Sequence, residues 1–235
     1  MGQLINGEWI QGSVSNNSKD GGFKRLNSVF RNNISEDHNT YIAEANRYHL
    51  YVSYACPWAH RTLIFRKLKN LEDYISVDFS HPDMLEMGWS FARDFPNATG
   101  DTLYDKKYAH EIYQLSDKKI STKATVPILW DKKSCSIVNN ESSEIIRIMN
   151  SAFNKLTKNY NDYYPHHLKS EIDDINKIIY ENVNNGVYKS GFSTTQASYE
   201  DAVNKLFSSL DMIEKLLDKQ DYLSLIHISE PTRPM

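Results

Sequence analysis

Cysteine is scarce in this sequence, which contains only Cys56 and Cys135 among 235 residues. Two thiols do not form the disulfide framework of a small secreted domain. The N-terminus also lacks a basic segment followed by an apolar one, so no secretory signal is predicted. We therefore expect a reducing, cytoplasmic environment.

An excess of charge and long apolar runs are missing as well. The 27 Lys and Arg residues nearly balance the 30 Asp and Glu residues, and a formal net charge of -3 provides no basic surface for nucleic acid. No apolar stretch approaches the length that spans a bilayer. Neither nucleic acid nor a membrane is therefore an expected partner.

A polar N-terminal arm, residues 1–46, precedes a predicted strand–helix–strand unit. Residues 48–53 and 75–79 are rich in β-branched and aromatic side chains, which is typical of strands, and residues 58–68 have helical spacing. Pro57 suits the first helical turn because its missing N–H has no partner there. Such a βαβ unit requires parallel strands.

The second half of the predicted α/β domain follows a long connection, residues 80–124, which has only weak helical patterns. Residues 125–130 and 136–139 are predicted to form a hairpin, and a helix is predicted from Glu141 onward. The order βαβ, crossover, ββα is that of a thioredoxin-like fold. We assign this domain to residues 47–155.

Residues 160–223 carry only helical patterns, which predicts an all-α second domain. An apolar face over residues 168–183 is predicted to end at Asn184–Gly186, since Asn and Gly are frequent helix terminators. A further helix is predicted to begin at Ser198, which with Asp201 comes close to a capping box.

Cys56 is the candidate nucleophile because it lies between the first strand and its helix. Helix N–H groups and the helix dipole favour a thiolate there, and His60 and Arg61 add positive charge in the next turn. Ala59 stands where a second thiol would resolve a mixed disulfide. An external thiol, for which glutathione is the obvious choice, is therefore required.

Two alternatives remain for Cys56. It could be a buried, inert cysteine. It could also bind a metal together with His60 four residues later, although the sequence offers no evident third ligand.

Val126–Pro127 and Glu141–Ser142 are candidate binding groups for a thiol peptide. In thioredoxin-like folds the residue before a cis-proline offers its backbone to such a peptide. At the start of the third helix, backbone N–H groups and the Ser142 hydroxyl can hold a carboxylate, while Glu141 can bind an ammonium group. These two residues suit the γ-glutamyl end of glutathione, or they form an ordinary helix N-cap.

Trp89 lies in the long connection and is a candidate for covering the thiol site and stacking on a quinone ring. The alternative is a core tryptophan that fixes an irregular loop.

Over about residues 23–223 the chain resembles the glutathionyl-hydroquinone reductases, the Xi class of glutathione S-transferases. These reductases share several long motifs with the chain, in the same order. The matching stretches are residues 48–53, 55–63, 84–89, 96–101, 125–132, 137–142 and 185–192.

The resemblance implies a glutathione-dependent, metal-free thiol exchange in which Cys56 takes glutathione from a glutathionyl-hydroquinone and a second glutathione releases it. It implies that Glu141 and Ser142 hold the γ-glutamyl group and that Val126 pairs with the cysteinyl backbone. It further implies that Trp89 packs over the ligand, Lys123 meets the glycyl carboxylate, and Tyr188 reaches the hydroquinone. Homodimers are typical of this family.

Residues 224–235 depart from the family pattern and resemble a translated cloning or sequencing-adapter sequence. We therefore expect a chain shortened at its C-terminus, with part of the helical domain and of the hydroquinone site absent. Its remaining helices are then expected to expose apolar surface, which puts the family's dimer in question for this chain.

Two other functions are compatible with Cys56. One is an omega-like thiol transferase or dehydroascorbate reductase, and the other is a non-catalytic, glutathione-transferase-like binding domain. The motifs at residues 84–89 and 96–101 favour the hydroquinone reductase.

Overall fold

The computed structural model describes residues 2–12, 18–35 and 37–224, which form two compact units. The first unit consists of the described residues up to position 12 and of residues 28–161, and the second of residues 18–27 and 162–224. Within these ranges no helix combines the length and the apolar character needed to cross a bilayer.

The first unit contains eight strands and four helices among its described residues. The strands are β1 (Gln3–Ile5), β2 (Glu8–Ile10), β3 (Tyr48–Val52), β4 (Ile75–Phe79), β5 (Met84–Leu85), β6 (Gly88–Trp89), β7 (Ile128–Asp131) and β8 (Ser136–Asn139). The helices are α1 (Pro57–Leu68), α2 (Ala109–Ser116), α3 (Ser142–Ser151) and α4 (Asn154–Thr157).

The central sheet has the strand order β4-β3-β7-β8. Strands β3 and β4 are parallel, whereas β7 runs antiparallel to both β3 and β8. Every residue of β3 and β7 is buried, which explains their nearly continuous apolar sequence. The predicted thioredoxin-like α/β fold is confirmed.

The N-terminal arm is more regular than its sequence indicates, because β1 and β2 form an antiparallel hairpin. Gly7 takes a positive φ of 83° in the turn, and Leu4 exchanges backbone hydrogen bonds with Thr122. The long connection of residues 80–124 likewise contains the β5–β6 hairpin and α2. Distant pairings, which local periodicity does not report, therefore order both segments.

The second unit is helical, as predicted. It contains a short 3₁₀ turn at His166–Leu168, α5 (Lys169–Ile178), a π-helical turn at Ile179–Asn184, α6 (Gly186–Gly191) and α7 (Gln196–Leu217).

Two predicted helix boundaries in this unit are wrong. The chain does not stop at Asn184–Gly186: Asn185 keeps right-handed helical angles, and Gly186 begins α6 and lies against Leu206 instead of taking the left-handed conformation of a terminator. The long helix α7 begins before Ser198, because the side chain of Thr195 accepts a hydrogen bond from the Ser198 N–H and so caps it.

The apolar face predicted along α7 is only partly covered. Ala202, Leu206 and Leu217 are buried, whereas Phe207 is 59% exposed and Leu210 is 38% exposed. Apolar side chains are thus exposed on this helix, as expected from the sequence. The segment of residues 224–235 lies, apart from Ser224, outside the described residues.

Candidate functional site

Cys56 occupies the N-cap of α1, between β3 and the helix. Its carbonyl oxygen accepts hydrogen bonds from the N–H groups of Ala59 and His60, at 3.1 and 3.0 Å, and these bonds begin the helix. Cys56 is 7% exposed, and its thiol donates a hydrogen bond of 3.4 Å to the carbonyl oxygen of Val126. The fold therefore brings the predicted nucleophile to the predicted peptide-binding backbone.

The Val126–Pro127 peptide bond is cis and immediately precedes β7. Tyr113 holds this segment from α2, because its hydroxyl donates to the carbonyl oxygen of Thr125 at 2.9 Å. The same hydroxyl accepts a hydrogen bond of 3.0 Å from the side chain of Asn140. Tyr113 thus joins the residue before Val126 to the residue before Glu141.

Glu141 and Ser142 begin α3. Glu141 is the N-cap, and its Oε1 accepts a hydrogen bond from the N–H of Ser143 at 3.3 Å. Its Oε2 accepts another, of 3.1 Å, from the hydroxyl of Ser28. The capping alternative is therefore correct for Glu141, and a role for this pair in holding glutathione is an additional prediction.

Arg61 is a member of this cluster whose contact the sequence does not indicate. Its guanidinium donates to the Ser142 hydroxyl from Nε at 3.1 Å and from Nη2 at 2.7 Å. Nη2 also lies 3.9 Å from Oε1 of Glu141. Arg61 and Ser142 are 81 residues apart in the chain, so no local pattern could have paired them.

The remaining predicted residues of the first unit are Trp89 and Lys123. Trp89 lies in β6 and is buried, with 8% of its surface exposed. Lys123 is half-buried and precedes Val126 by three residues. Their contacts with a ligand stay predictions.

Tyr188 belongs to α6 of the second unit and is half-buried. Its ring stacks with those of Phe23 and Phe192, with centroids 6.4 and 6.2 Å away. The guanidinium carbon of Arg25 lies 4.6 Å from the Tyr188 centroid, and Arg25 Nε donates to the side chain of Asn185 at 2.7 Å. Part of the N-terminal arm thus supports this tyrosine.

The structure supplies no support for the metal alternative at Cys56. No group of three or more His, Cys, Asp or Glu side chains placed to hold a metal ion occurs in the part of the chain that the structure describes. His60 is exposed, whereas the Cys56 thiol is buried against Val126.

Known proteins similar to this chain share both its sequence and its fold. The family model "Glutathione S-transferase, N-terminal domain" matches residues 55–152. Glutathionyl-hydroquinone reductase YqjG of Escherichia coli is 50% identical over 98% of this chain and 72% of its own length. Glutathione S-transferase omega-like 2 of Schizosaccharomyces pombe is 48% identical over 91% of this chain and 70% of its own length.

Solved structures agree with these relatives. The glutathione-bound structure of Escherichia coli YqjG matches with a TM-score of 0.84 and 49% identity, over 94% of this chain and 68% of that chain. The Xi class enzyme of Natrialba magadii matches with a TM-score of 0.89 and 40% identity, over 99% of this chain and 72% of that one. The chain therefore belongs to the glutathionyl-hydroquinone reductases, the Xi class of glutathione S-transferases.

Proposed function

We propose that this protein reduces glutathionyl-hydroquinones to hydroquinones, with glutathione as co-substrate and Cys56 as the nucleophile. The hydrogen bond of 3.4 Å between the Cys56 thiol and the Val126 carbonyl supports this most directly, because it unites a helix N-cap thiol with the backbone before a cis-proline. The names of the similar proteins support the same substrate class.

The first step forms a mixed disulfide. The Cys56 thiolate attacks the sulfur of the glutathionyl-hydroquinone, a sulfur–sulfur bond forms, and the carbon–sulfur bond breaks. The electron pair of that bond stays on the ring carbon, which takes a proton from solvent and leaves as part of the hydroquinone. Cys56 is then joined to glutathione.

The second step regenerates the enzyme. The thiolate of a second glutathione attacks the glutathione sulfur of the mixed disulfide, and Cys56 leaves as a thiolate. The products are one hydroquinone and one glutathione disulfide for each glutathione consumed. Ala59 supplies no competing thiol within the first helical turn, so the second glutathione is required.

The other candidate residues take supporting roles in this proposal. Glu141 binds the ammonium and Ser142 the carboxylate of the γ-glutamyl group, while Val126 pairs with the cysteinyl backbone. Trp89 packs over the ligand, Lys123 meets the glycyl carboxylate, and Tyr188 contacts the hydroquinone. We further propose a cytoplasmic location and, from the family, a homodimer that light scattering would test.

Turnover of glutathionyl-menadiol with glutathione tests the proposal. We expect the wild-type protein to form menadiol and glutathione disulfide in equal amounts, and Cys56→Ser to form neither. Cys135→Ser is the matched control, because Cys135 is exposed in the β7–β8 turn, and it should keep full activity. Equal turnover by the wild type and Cys56→Ser would contradict the assignment.

The omega-like names among the relatives support a second candidate, a thiol transferase that also uses Cys56. Dehydroascorbate and a small mixed disulfide of glutathione, offered to the same protein, distinguish the two functions. Faster turnover of either compound than of glutathionyl-menadiol would favour the second candidate.

A further inference from the structure

We propose that Arg61 is a positioning residue for the γ-glutamyl group, and that it acts by fixing the direction in which the Ser142 hydroxyl donates its proton. The inference rests on the proposed function, since it concerns how the same site recognises glutathione. Arg61 reaches from α1 to the first residue of α3, which joins the helix of the nucleophile to the helix that holds the ligand.

The chemistry of a hydroxyl group makes this contact directional. A serine oxygen has two lone pairs and one proton, whereas a guanidinium can only donate. The Ser142 oxygen accepts from both Nε and Nη2 of Arg61, at 3.1 and 2.7 Å. Both lone pairs are thereby used, and the proton of Ser142 is left to donate to another group.

No acceptor for that proton is found within the described part of the chain, although Ser142 is only 3% exposed. The backbone N–H of Ser142, at the first position of α3, also has no acceptor among the described residues. A buried donor without an acceptor is costly, so two such donors on one residue indicate an external acceptor. A carboxylate has the two oxygens that this pair of donors requires.

Charge explains why an arginine serves here. The Glu141 carboxylate attracts an ammonium group but repels a neighbouring carboxylate, and Arg61 Nη2 lies 3.9 Å from Glu141 Oε1. The guanidinium offsets this repulsion, so the site suits an amino-acid group that carries both charges. The γ-glutamyl end of glutathione is such a group.

Packing restricts the guanidinium to this position. The side chain of Arg61 is 11% exposed, and its guanidinium carbon lies 5.3 Å from the centroid of the Trp58 ring. The ammonium group of a lysine cannot reproduce both the contact with the Trp58 ring and the two hydrogen bonds that the planar guanidinium group donates. The geometry therefore predicts that charge alone does not preserve the function of Arg61.

Steady-state kinetics with two menadiol conjugates tests the proposal in Arg61→Gln. With glutathionyl-menadiol, we expect KM to rise about 10- to 100-fold, the range for one hydrogen bond to a charged group, while kcat at saturation is unchanged. With the cysteinylglycine conjugate of menadiol, which lacks the γ-glutamyl group, we expect no change. A general structural defect would affect both conjugates.

Three further variants make the test specific. Ser142→Ala should raise the KM for glutathionyl-menadiol to a similar extent, and adding Arg61→Gln to Ser142→Ala should raise it by a smaller factor than Arg61→Gln does in the wild type. Arg61→Lys should lie between the wild type and Arg61→Gln. Lys67→Gln is the matched control, because it removes one positive charge from an exposed position of α1 and should behave as the wild type.

Three results would overturn the inference: an unchanged KM in Arg61→Gln, additive effects in the double variant, or an Arg61→Lys enzyme with wild-type KM. The first result would mean that Arg61 does not take part in recognising the γ-glutamyl group. The second would mean that it acts independently of Ser142, and the third that its positive charge is sufficient. If the wild-type protein itself fails to bind glutathione in calorimetry, the proposed function fails and this inference fails with it. If the wild-type protein binds and uses glutathione but Arg61→Gln has the wild-type KM, this inference is overturned and the proposed function stands.

Discussion

The thiol of Cys56 donates a hydrogen bond of 3.4 Å to the carbonyl oxygen of Val126. The two residues are 70 positions apart and reach each other because β3 and β7 are neighbours in the sheet, with Cys56 after the end of β3 and Val126 before the start of β7. A peptide that pairs with the backbone of Val126 would therefore have its own thiol next to Cys56.

Protection from alkylation tests this arrangement. We expect S-methylglutathione to slow the reaction of iodoacetamide with Cys56, because the bound peptide would cover the thiol of a residue that is already only 7% exposed. Cys135 is exposed and lies in a different turn, so its rate should not change. Peptide mass spectrometry measures both cysteines in one sample, and equal slowing at both would contradict specific binding.

Replacing Tyr113 by Phe should destabilise the segments that carry Val126 and Glu141. The variant loses the hydrogen bond to the Thr125 carbonyl and the one from the Asn140 side chain, and leaves both partners without this buried hydroxyl. We expect the free energy of unfolding to fall by about 1–3 kcal/mol and the KM for glutathionyl-menadiol to rise. Urea unfolding and kinetics measure these effects. Tyr41→Phe, which removes a hydroxyl whose contact is with the Ser136 side chain at 3.3 Å, is the control.

Arg47 and Asp131 form a buried ion pair at the C-terminal end of β7, and its removal should destabilise the first unit. Arg47 donates from Nε to Oδ1 at 2.8 Å and from Nη2 to Oδ2 at 2.7 Å. Asp131→Asn leaves the buried guanidinium with only the more distant, half-exposed Glu44 carboxylate, 3.7 Å from Nη1, as a charge partner. We therefore expect a loss of about 3 kcal/mol in urea unfolding. Glu72→Gln, which breaks the exposed pair with Lys67, should cost less than about 1 kcal/mol. Equal losses in the two variants would contradict this.

The same pair predicts a dependence of stability on pH. Burial acts to raise the pKa of Asp131, but hydrogen bonds from Arg47 and Ser134 outweigh it and hold the pKa below its ordinary value of 3.8. The unfolded chain therefore binds this proton more readily than the folded one. The contribution of the pair should be full well above pH 3.8 and be lost as the pH falls through the lower folded pKa. The stability difference between wild type and Asp131→Asn should accordingly shrink in acid.

Gly7 and Gly12 offer a matched pair for testing the N-terminal hairpin. Both have positive φ, 83° and 108°, so alanine is strained at either position. A Cβ at Gly7 would clash with the carbonyl oxygen of Lys118, whereas no atom of the described residues beyond the chain neighbours lies within 4 Å of one at Gly12. We expect Gly7→Ala to lower the thermal midpoint more than Gly12→Ala does. Similar midpoints for the two variants would contradict the close approach of Gly7 to the Lys118 carbonyl group.

The sequence by itself determined the elements that carry the site. The aromatic and β-branched run of β3, Pro57 in the first turn of α1, and the apolar repeat of α3 are local patterns, and they produced the strands and helices that they predict. The position of Cys56 at a helix N-terminus and the absence of a thiol at Ala59 follow from the same local order. The family motifs likewise lie on consecutive residues.

Only the tertiary structure decided which side chains meet. Arg61 with Ser142, Tyr113 with Asn140, and Ser28 with Glu141 are separated by 81, 27 and 113 residues. Hydrogen bonds between such distant residues depend on how sheet and helices pack, which no periodicity records. The end predicted at Gly186 was wrong for a related reason: packing against Leu206, rather than local helix propensity, determines the conformation there.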